Sequence, residues 1–232
     1  MSFTDELLDK TKPLWDAQLD HPFVQGLGED TLSEEKFHRW IRQDFQIAWE
    51  CSRAFAQGAA KATTESEMNF LAASIASGDG LDLTLLPGSD FHKRLAERSG
   101  LSADELKEGA VENTRPNTRA YMDHLRRASV DGELPELVAA VLPYIGGYAV
   151  LAKKIQSTYH APEKEVYNWL AAFTGDDFQQ FSSKLKSLLN DAAGDLDTEQ
   201  RMRLTEIFSV SSYYQWNLWD SCWNDEQWRP NA

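Results

Sequence analysis

The chain has little cysteine, few cations and no long apolar run, and each shortage closes a class of function. Its 232 residues hold two cysteines, Cys51 and Cys222, and neither belongs to a CxxC pair. Disulfide scaffolds and cysteine-based structural zinc sites need more, so both are excluded. Lys and Arg number 23 against 37 Asp and Glu, a formal net charge of −14. An excess of that sign repels phosphate backbones, which argues against nucleic-acid binding. It also suits a high-salt habitat, although eleven lysines remain. No uninterrupted apolar stretch approaches the roughly 20 residues that span a bilayer. The start, Met1-Ser2-Phe3-Thr4-Asp5-Glu6, carries acids where a secretory leader carries Lys or Arg. The expectation is a soluble, cytoplasmic chain with no membrane partner.

Signatures of several chemistries are missing too. The five histidines, His21, His38, His92, His124 and His160, form no HExxH pair, so a zinc or bundle-type di-iron site lacks its ligand set. GxSxG, P-loop and GxGxxG patterns are absent. No metal or cofactor is expected.

What is present is a core and a helical rhythm. Hydrophobic residues make up 42% of the chain and aromatics 11%, with eight Trp, too many large rings for a disordered segment. Apolar residues recur at three and four near 3–18, 34–61, 65–77, 90–99, 116–130, 135–158, 164–173, 176–191 and 198–223. Ser33 before Glu34-Glu35, Pro116 and Pro135 suit helix starts, and Gly194 suits a helix end. Sustained apolar/polar alternation, internal repeats and Pro/Gly-rich linkers are lacking, so the spacing predicts one all-α domain over residues 1–232, a helical bundle. One stretch interrupts it. Gly78 to Gly88 holds three glycines and Pro87, and reads either as a surface loop or as a flap over a pocket.

Polar residues fall on faces that should be dry. On the helix near 34–61, Asp44 joins the stripe Phe37, Ile41, Ala48 and Phe55. A carboxylate aimed into a bundle needs a partner, either a structural arginine or a ligand. The helix from Pro135 aligns Leu137, Val141, Tyr144, Tyr148 and Leu151, with Pro143 and Gly146-Gly147 pointing to a kinked inner wall. The last helix aligns Leu204, Phe208, Ser211, Gln215, Trp219 and Cys222, and Gln215 is the polar exception. Each residue alone also reads as ordinary core. Together, Asp44, Tyr144, Tyr148 and Gln215 would face one central space.

Short motifs in order along the chain carry a resemblance. Leu14-Trp15, His21-Pro22-Phe23, Leu32-Ser33-Glu34-Glu35-Lys36-Phe37, Gln43-Asp44-Phe45, Thr118-Arg119-Ala120-Tyr121, Leu142-Pro143 with Tyr148, Tyr167-Asn168-Trp169 leading to Phe178, and Trp219-Asp220 resemble the thiaminase II (TenA) family from about residue 3 to 228. The resemblance implies a haem-oxygenase-like helical bundle with a central pocket, assembled as a homotetramer. It also implies cleavage of thiamin, or its degraded aminopyrimidine, at the pyrimidine C–N bond without a metal. The pyrimidine-holding aspartate would be Asp44, and two family tyrosines would be Tyr121 and Tyr148.

The remaining family positions have changed. Tyr144 stands where the family has its nucleophilic cysteine, Gly146 where it has a tryptophan, and Gln215 where it has its catalytic glutamate. Leu218 replaces a phenylalanine, and Ile47, Cys51 and Phe173 replace tyrosines. A phenol with a pKa of about 10 is a poor stand-in for a thiolate, and an amide cannot move protons as a carboxylate does. The replacements remove hydroxyls and reshape the cavity without adding charge, which suits a rewritten pocket better than random decay.

Two hypotheses follow. In the first, the protein is an enzyme that binds and transforms a small organic molecule other than thiamin. Asp44 would act as acid, base or cation stabiliser, with Tyr144 and Gln215 beside it and Tyr121, Tyr148, Ile47, Cys51, Phe173, Leu218 and Gly146 contacting the ligand. In the second, a thiamin- or aminopyrimidine-binding protein keeps the Asp44 anchor and has lost or weakened the chemistry. The aromatic surplus near the C-terminus (Tyr213, Tyr214, Trp216, Trp219, Trp223 and Trp228) exceeds what one helix turns inward, in keeping with an oligomer.

Overall fold

The computed structural model describes residues 1–75, 100, 102, 113–159 and 172–228, and every regular element among them is helical. Eight helices have described bounds: α1 (Phe3–Leu19), α2 (Pro22–Glu29), α3 (Glu34–Lys61), α4 (Glu65–Ala73), α5 (Pro116–Val130), α6 (Leu134–Thr158), α7 (Asp176–Ala193) and α8 (Thr198–Trp223). Capping chemistry sets several starts. Ser33 accepts from the Lys36 amide, and Asp197 and Gln200 cap reciprocally at the head of α8. Gly194 ends α7 as expected, but in a right-handed conformation, so its freedom at positive φ is unused.

Two departures from the sequence reading are physical. The periodicity missed α2, whose eight residues make barely two turns, too short for a repeat to register. His21 caps it, its Nδ1 accepting from the Phe23 amide at 3.1 Å. Second, α6 is long and apolar enough to cross a membrane by length and composition, although no uninterrupted run suggested it. Of its most apolar window, 78% is buried inside the bundle, so core packing consumes that apolarity. The expected helix near 90–99, most of that near 164–173, the 78–88 stretch and the Tyr167-Asn168-Trp169 motif lie outside the described residues.

Helix α6 is the axis of the fold. It packs along α8, α7 and α5, while α3 lies against α5, α4 and α8, and α1 covers α8. Sixteen of its residues are buried, including all five of the stripe Leu137, Val141, Tyr144, Tyr148 and Leu151. The stripes predicted on α3 and α8 also turn inward, with Ile41, Asp44, Ala48, Phe55, Leu204, Phe208, Ser211, Gln215, Trp219 and Cys222 all buried. Three inward faces therefore meet, and each delivers its polar exception to the same interior.

Candidate active site

Helical spacing places the first part of the site. Tyr144 and Tyr148 are one turn apart on α6, so both hydroxyls reach one point on α3. That point is Asp44, 1% exposed, whose Oδ1 accepts from Tyr144 at 3.0 Å and from Tyr148 at 2.6 Å. One turn before Asp44, Trp40 donates its indole N–H to the Tyr148 oxygen at 3.2 Å. The result is a relay from Trp40 through Tyr148 to Asp44. Sequence reading overlooked Trp40, although its spacing from Asp44 puts it on the same face.

Aromatic rings wall this relay. Phe173 stacks on Tyr148 with centroids 4.8 Å apart, and Trp219 meets Tyr148 edge-on at 5.8 Å. Trp40 stacks on Trp219 at 6.1 Å, and the Trp219 indole donates to Gln18 at 2.9 Å. Such packing fixes the ring positions and keeps solvent away.

Burial dominates the electrostatics. It pushes the phenols of Tyr144 and Tyr148 well above their ordinary range, and the nearby Asp44 charge pushes the same way. Tyr121, fully buried on α5, is raised by burial, with the neighbouring Cys51 and Asp44 adding to it. Burial likewise raises the Cys51 thiol, reinforced by Glu50 and Asp44. The phenols and the thiol of this cluster are thus held in their protonated forms.

Among the described residues, six side chains bury a polar atom without a partner, and two of them belong to this cluster. The hydroxyl of Tyr121 and both amide atoms of Gln215 are buried without a hydrogen-bond partner. The Gln215 amide lies near enough to the Tyr148 hydroxyl to lower its pKa, against the larger effect of burial. Buried polar atoms are nearly always paired, so these two side chains depart from the rule.

Among the other expected site residues, Ile47, Cys51 and Leu218 are fully buried and Phe173 is 4% exposed. Gly146 does not join them. It sits about 200° around α6 from Tyr144, and a Cβ there would face Leu142 and Ser182. It lines instead a cleft of about 260 Å³ with Trp15, Leu142, Val150 and Phe208. Gly147 lies nearer the site, between the Trp15 ring and the Gln215 side chain.

The structure adds neighbours that the sequence did not reveal. Glu50, 2% exposed and beside Cys51, takes a two-pronged ion pair from Arg126 at 2.8 and 3.2 Å. His124, one turn beyond Tyr121, shares a 2.9 Å hydrogen bond with Ser211, one turn before Gln215, and burial lowers its pKa. Spacing from Tyr121 could have drawn attention to His124; nothing local pairs Glu50 with a distant arginine. Among the described residues, no cluster of three or more His, Cys, Asp or Glu forms that could hold a metal ion.

Comparison with known proteins agrees with this architecture. Residues 8–225 match the TENA/THI-4/PQQC family. The chain is similar to an aminopyrimidine aminohydrolase from Halalkalibacterium halodurans, 31% identical over the full length of both proteins. It is also similar to a solved TenA family transcription regulator from Silicibacter sp. TM1040, with 25% identity, a TM-score of 0.82, and coverage of 95% of this chain and 96% of that one. A domain with a haem-oxygenase-like fold from Shewanella denitrificans superposes with a TM-score of 0.67 at 14% identity, over 96% of this chain and 92% of that one.

Proposed function

The chain belongs to the TENA/THI-4/PQQC family, and from that premise we propose that the Asp44 cluster binds and transforms a small organic molecule other than thiamin, without thiaminase II activity. One observation carries this reading. The residue at the family's nucleophile position, Tyr144, is a buried phenol held protonated, its hydrogen donated to Asp44 at 3.0 Å. A protonated phenol is not a nucleophile at neutral pH. Cys51 offers no replacement, since burial keeps its thiol protonated as well. Gln215 cannot shuttle a proton in place of a glutamate. What remains is Asp44 with two hydroxyls on one oxygen, suited to stabilise positive charge or to exchange a proton through Tyr148.

The relative from Halalkalibacterium halodurans is named for aminopyrimidine hydrolysis. Retention of Asp44 and Tyr121 therefore supports a second reading, in which the pocket still binds a pyrimidine but does not hydrolyse it. Incubation with thiamin and with 4-aminopyrimidines separates these readings from the family reaction. No product above a buffer blank is expected, and turnover that Asp44→Asn abolishes would refute the lost activity. A thermal-shift panel of thiamin, pyrimidine fragments and apolar metabolites then identifies the ligand. Saturation at 100 times Kd should stabilise the fold by about 2.7 kcal/mol.

A homotetramer is proposed alongside. Of the six C-terminal aromatics only Trp219 is fully buried, while Tyr213 and Trp228 are 51% and 49% exposed. A monomeric mass by light scattering at micromolar concentration would remove that assignment.

A further inference from the structure

We infer that His21 in its neutral form is a positioning residue for the Asp44 relay: it holds Phe23 against the two tryptophans beside Tyr148, and its protonation releases them. This rests on reading the Asp44 cluster as a ligand site, and it adds a pH control to that site. The motif His21-Pro22-Phe23 begins α2. Pro22 has no N–H, so the first amide of the helix in need of an acceptor is that of Phe23. It finds Nδ1 of His21 at 3.1 Å. A ring nitrogen that accepts carries no proton, so the neutral imidazole holds its hydrogen on Nε2, which faces Asp220 Oδ1 at 3.6 Å.

Phe23 is what the cap secures. Fully buried, its ring lies 5.4 Å from that of Trp219 and 6.5 Å from that of Trp40. Trp40 donates to the Tyr148 oxygen and Trp219 packs edge-on against the Tyr148 ring, so a shift of Phe23 reaches the relay through both. A second link runs through the end of α1. The His21 amide donates to the Gln18 carbonyl at 3.2 Å, and Gln18 Oε1 accepts the Trp219 indole N–H at 2.9 Å. The helix has little else to fix its ends. Two turns are too few to be stable alone, and α2 closes on Asp30 in the left-handed region at φ 55°.

Protonation sets donor against donor. An imidazolium carries a hydrogen on both nitrogens, so Nδ1–H would confront the Phe23 N–H and the cap fails. From α8 the ring is faced by Asp220 and by Trp216, whose ring centroid is 6.0 Å away. Helix α1 ends beside it in the exposed Asp20, and α2 has its one charge, Glu29, at the far end. Burial holds the His21 pKa below its ordinary 6.5, and Asp220 opposes this without overcoming it. The cap is therefore complete above pH 6.5 and is lost as pH falls through the lowered folded value.

The test follows the indole N–H resonances of Trp40 and Trp219 by heteronuclear NMR in the full-length protein, from about pH 7.5 down to about pH 5. Both should shift together, with one midpoint below 6.5 that matches the titration of the His21 ring. His21→Asn keeps a side-chain acceptor at the N-cap and cannot titrate, so in this variant both resonances should stay at their neutral-pH positions throughout. His21→Ala lacks the cap and should show at neutral pH the positions that the wild type reaches only in acid. Resonances that hold still in the wild type, or that move identically in His21→Asn, overturn the inference. So does a His21→Ala protein whose resonances match those of the neutral wild type. Should His21→Ala fail to fold, the comparison of wild type with His21→Asn decides alone. None of these readings needs a ligand, so the inference can fail while the Asp44 site stands, and the thermal-shift panel with Asp44→Asn as its control tests that site separately.

Discussion

The hydroxyl of Tyr148 lies 2.6 Å from Oδ1 of Asp44, across 104 positions of sequence. Tyr144 donates to the same oxygen, so one carboxylate atom ties α3 to α6 at the centre of the bundle. Hydrogen bonds to a charged acceptor are each worth about 1.5–3 kcal/mol. Asp44→Asn should therefore destabilise the fold by roughly 2–3 kcal/mol while leaving it folded. It should also abolish ligand-induced stabilisation. Urea denaturation with and without ligand reads both effects, and an unchanged midpoint would contradict the strength assigned to the two hydrogen bonds.

The converse experiment follows from the proposed loss of thiaminase II activity. Tyr144→Cys with Gln215→Glu puts a thiol and a carboxylate at the positions where, on the proposed reading, the family's nucleophile and proton carrier would stand. If the scaffold still admits an aminopyrimidine, the double variant should release ammonia from it at a measurable rate. Neither single variant should match that rate, because nucleophile and proton carrier act together. Binding without turnover in the double variant would shift the cause to the wall residues Ile47, Cys51 and Phe173.

Gln215 should be costly to stability in the ligand-free protein. Both of its amide atoms are buried without partners, and an unsatisfied buried group costs about 1–3 kcal/mol. Gln215→Met keeps the length of the side chain and removes the polar atoms. The variant should melt higher than wild type by a few degrees, at roughly 2–4 °C per kcal/mol for a chain of this size. A lower melting temperature would show that the amide is satisfied after all.

Alkaline pH should weaken the fold. Burial pushes the Cys222 thiol from its ordinary 9.0 up to about 12, and raises Cys51 as well. The folded state therefore favours the neutral thiols more than the unfolded chain does. Their contribution is complete below pH 9.0 and declines as pH climbs from there toward about 12. Denaturation midpoints should fall over that window. Both thiols should resist a disulfide reagent at pH 8 until the chain is unfolded, and rapid labelling of the native protein would contradict their burial.

Gly147 tests the packing behind the site. A Cβ there would lie 2.7 and 2.8 Å from two atoms of the Trp15 ring. Gly147→Ala gains helix propensity, worth about 1 kcal/mol, but overpacking costs about 1–3 kcal/mol. The bulky indole is bonded to Thr11 and cannot give way cheaply. A net loss of stability of about 1 kcal/mol is expected by thermal denaturation.

Much of this architecture was legible because helices write their buried face into the sequence every three or four residues. The stripes on α3, α6 and α8 named Asp44, Tyr144, Tyr148 and Gln215 as interior polar groups, and all four are buried. The same arithmetic, carried further, would have found Trp40. What periodicity could not register was an element of two turns such as α2, or a position whose role depends on another helix. Gly146 illustrates the second limit. Its number sits between two site tyrosines, but its direction is opposite to theirs, and it opens on the cleft behind α6.

The sequence by itself determined the helical class and the inward faces, because residue type and spacing along one helix are local properties. Only the tertiary structure decided which polar groups meet. Tyr144 and Tyr148 converge on a single Asp44 oxygen, Glu50 is matched by Arg126, His124 by Ser211, and Gln215 and Tyr121 are left without partners. Each of those outcomes depends on the rotation and separation of helices distant in sequence. Those are set by how all the side chains between them pack, and no single helix encodes that.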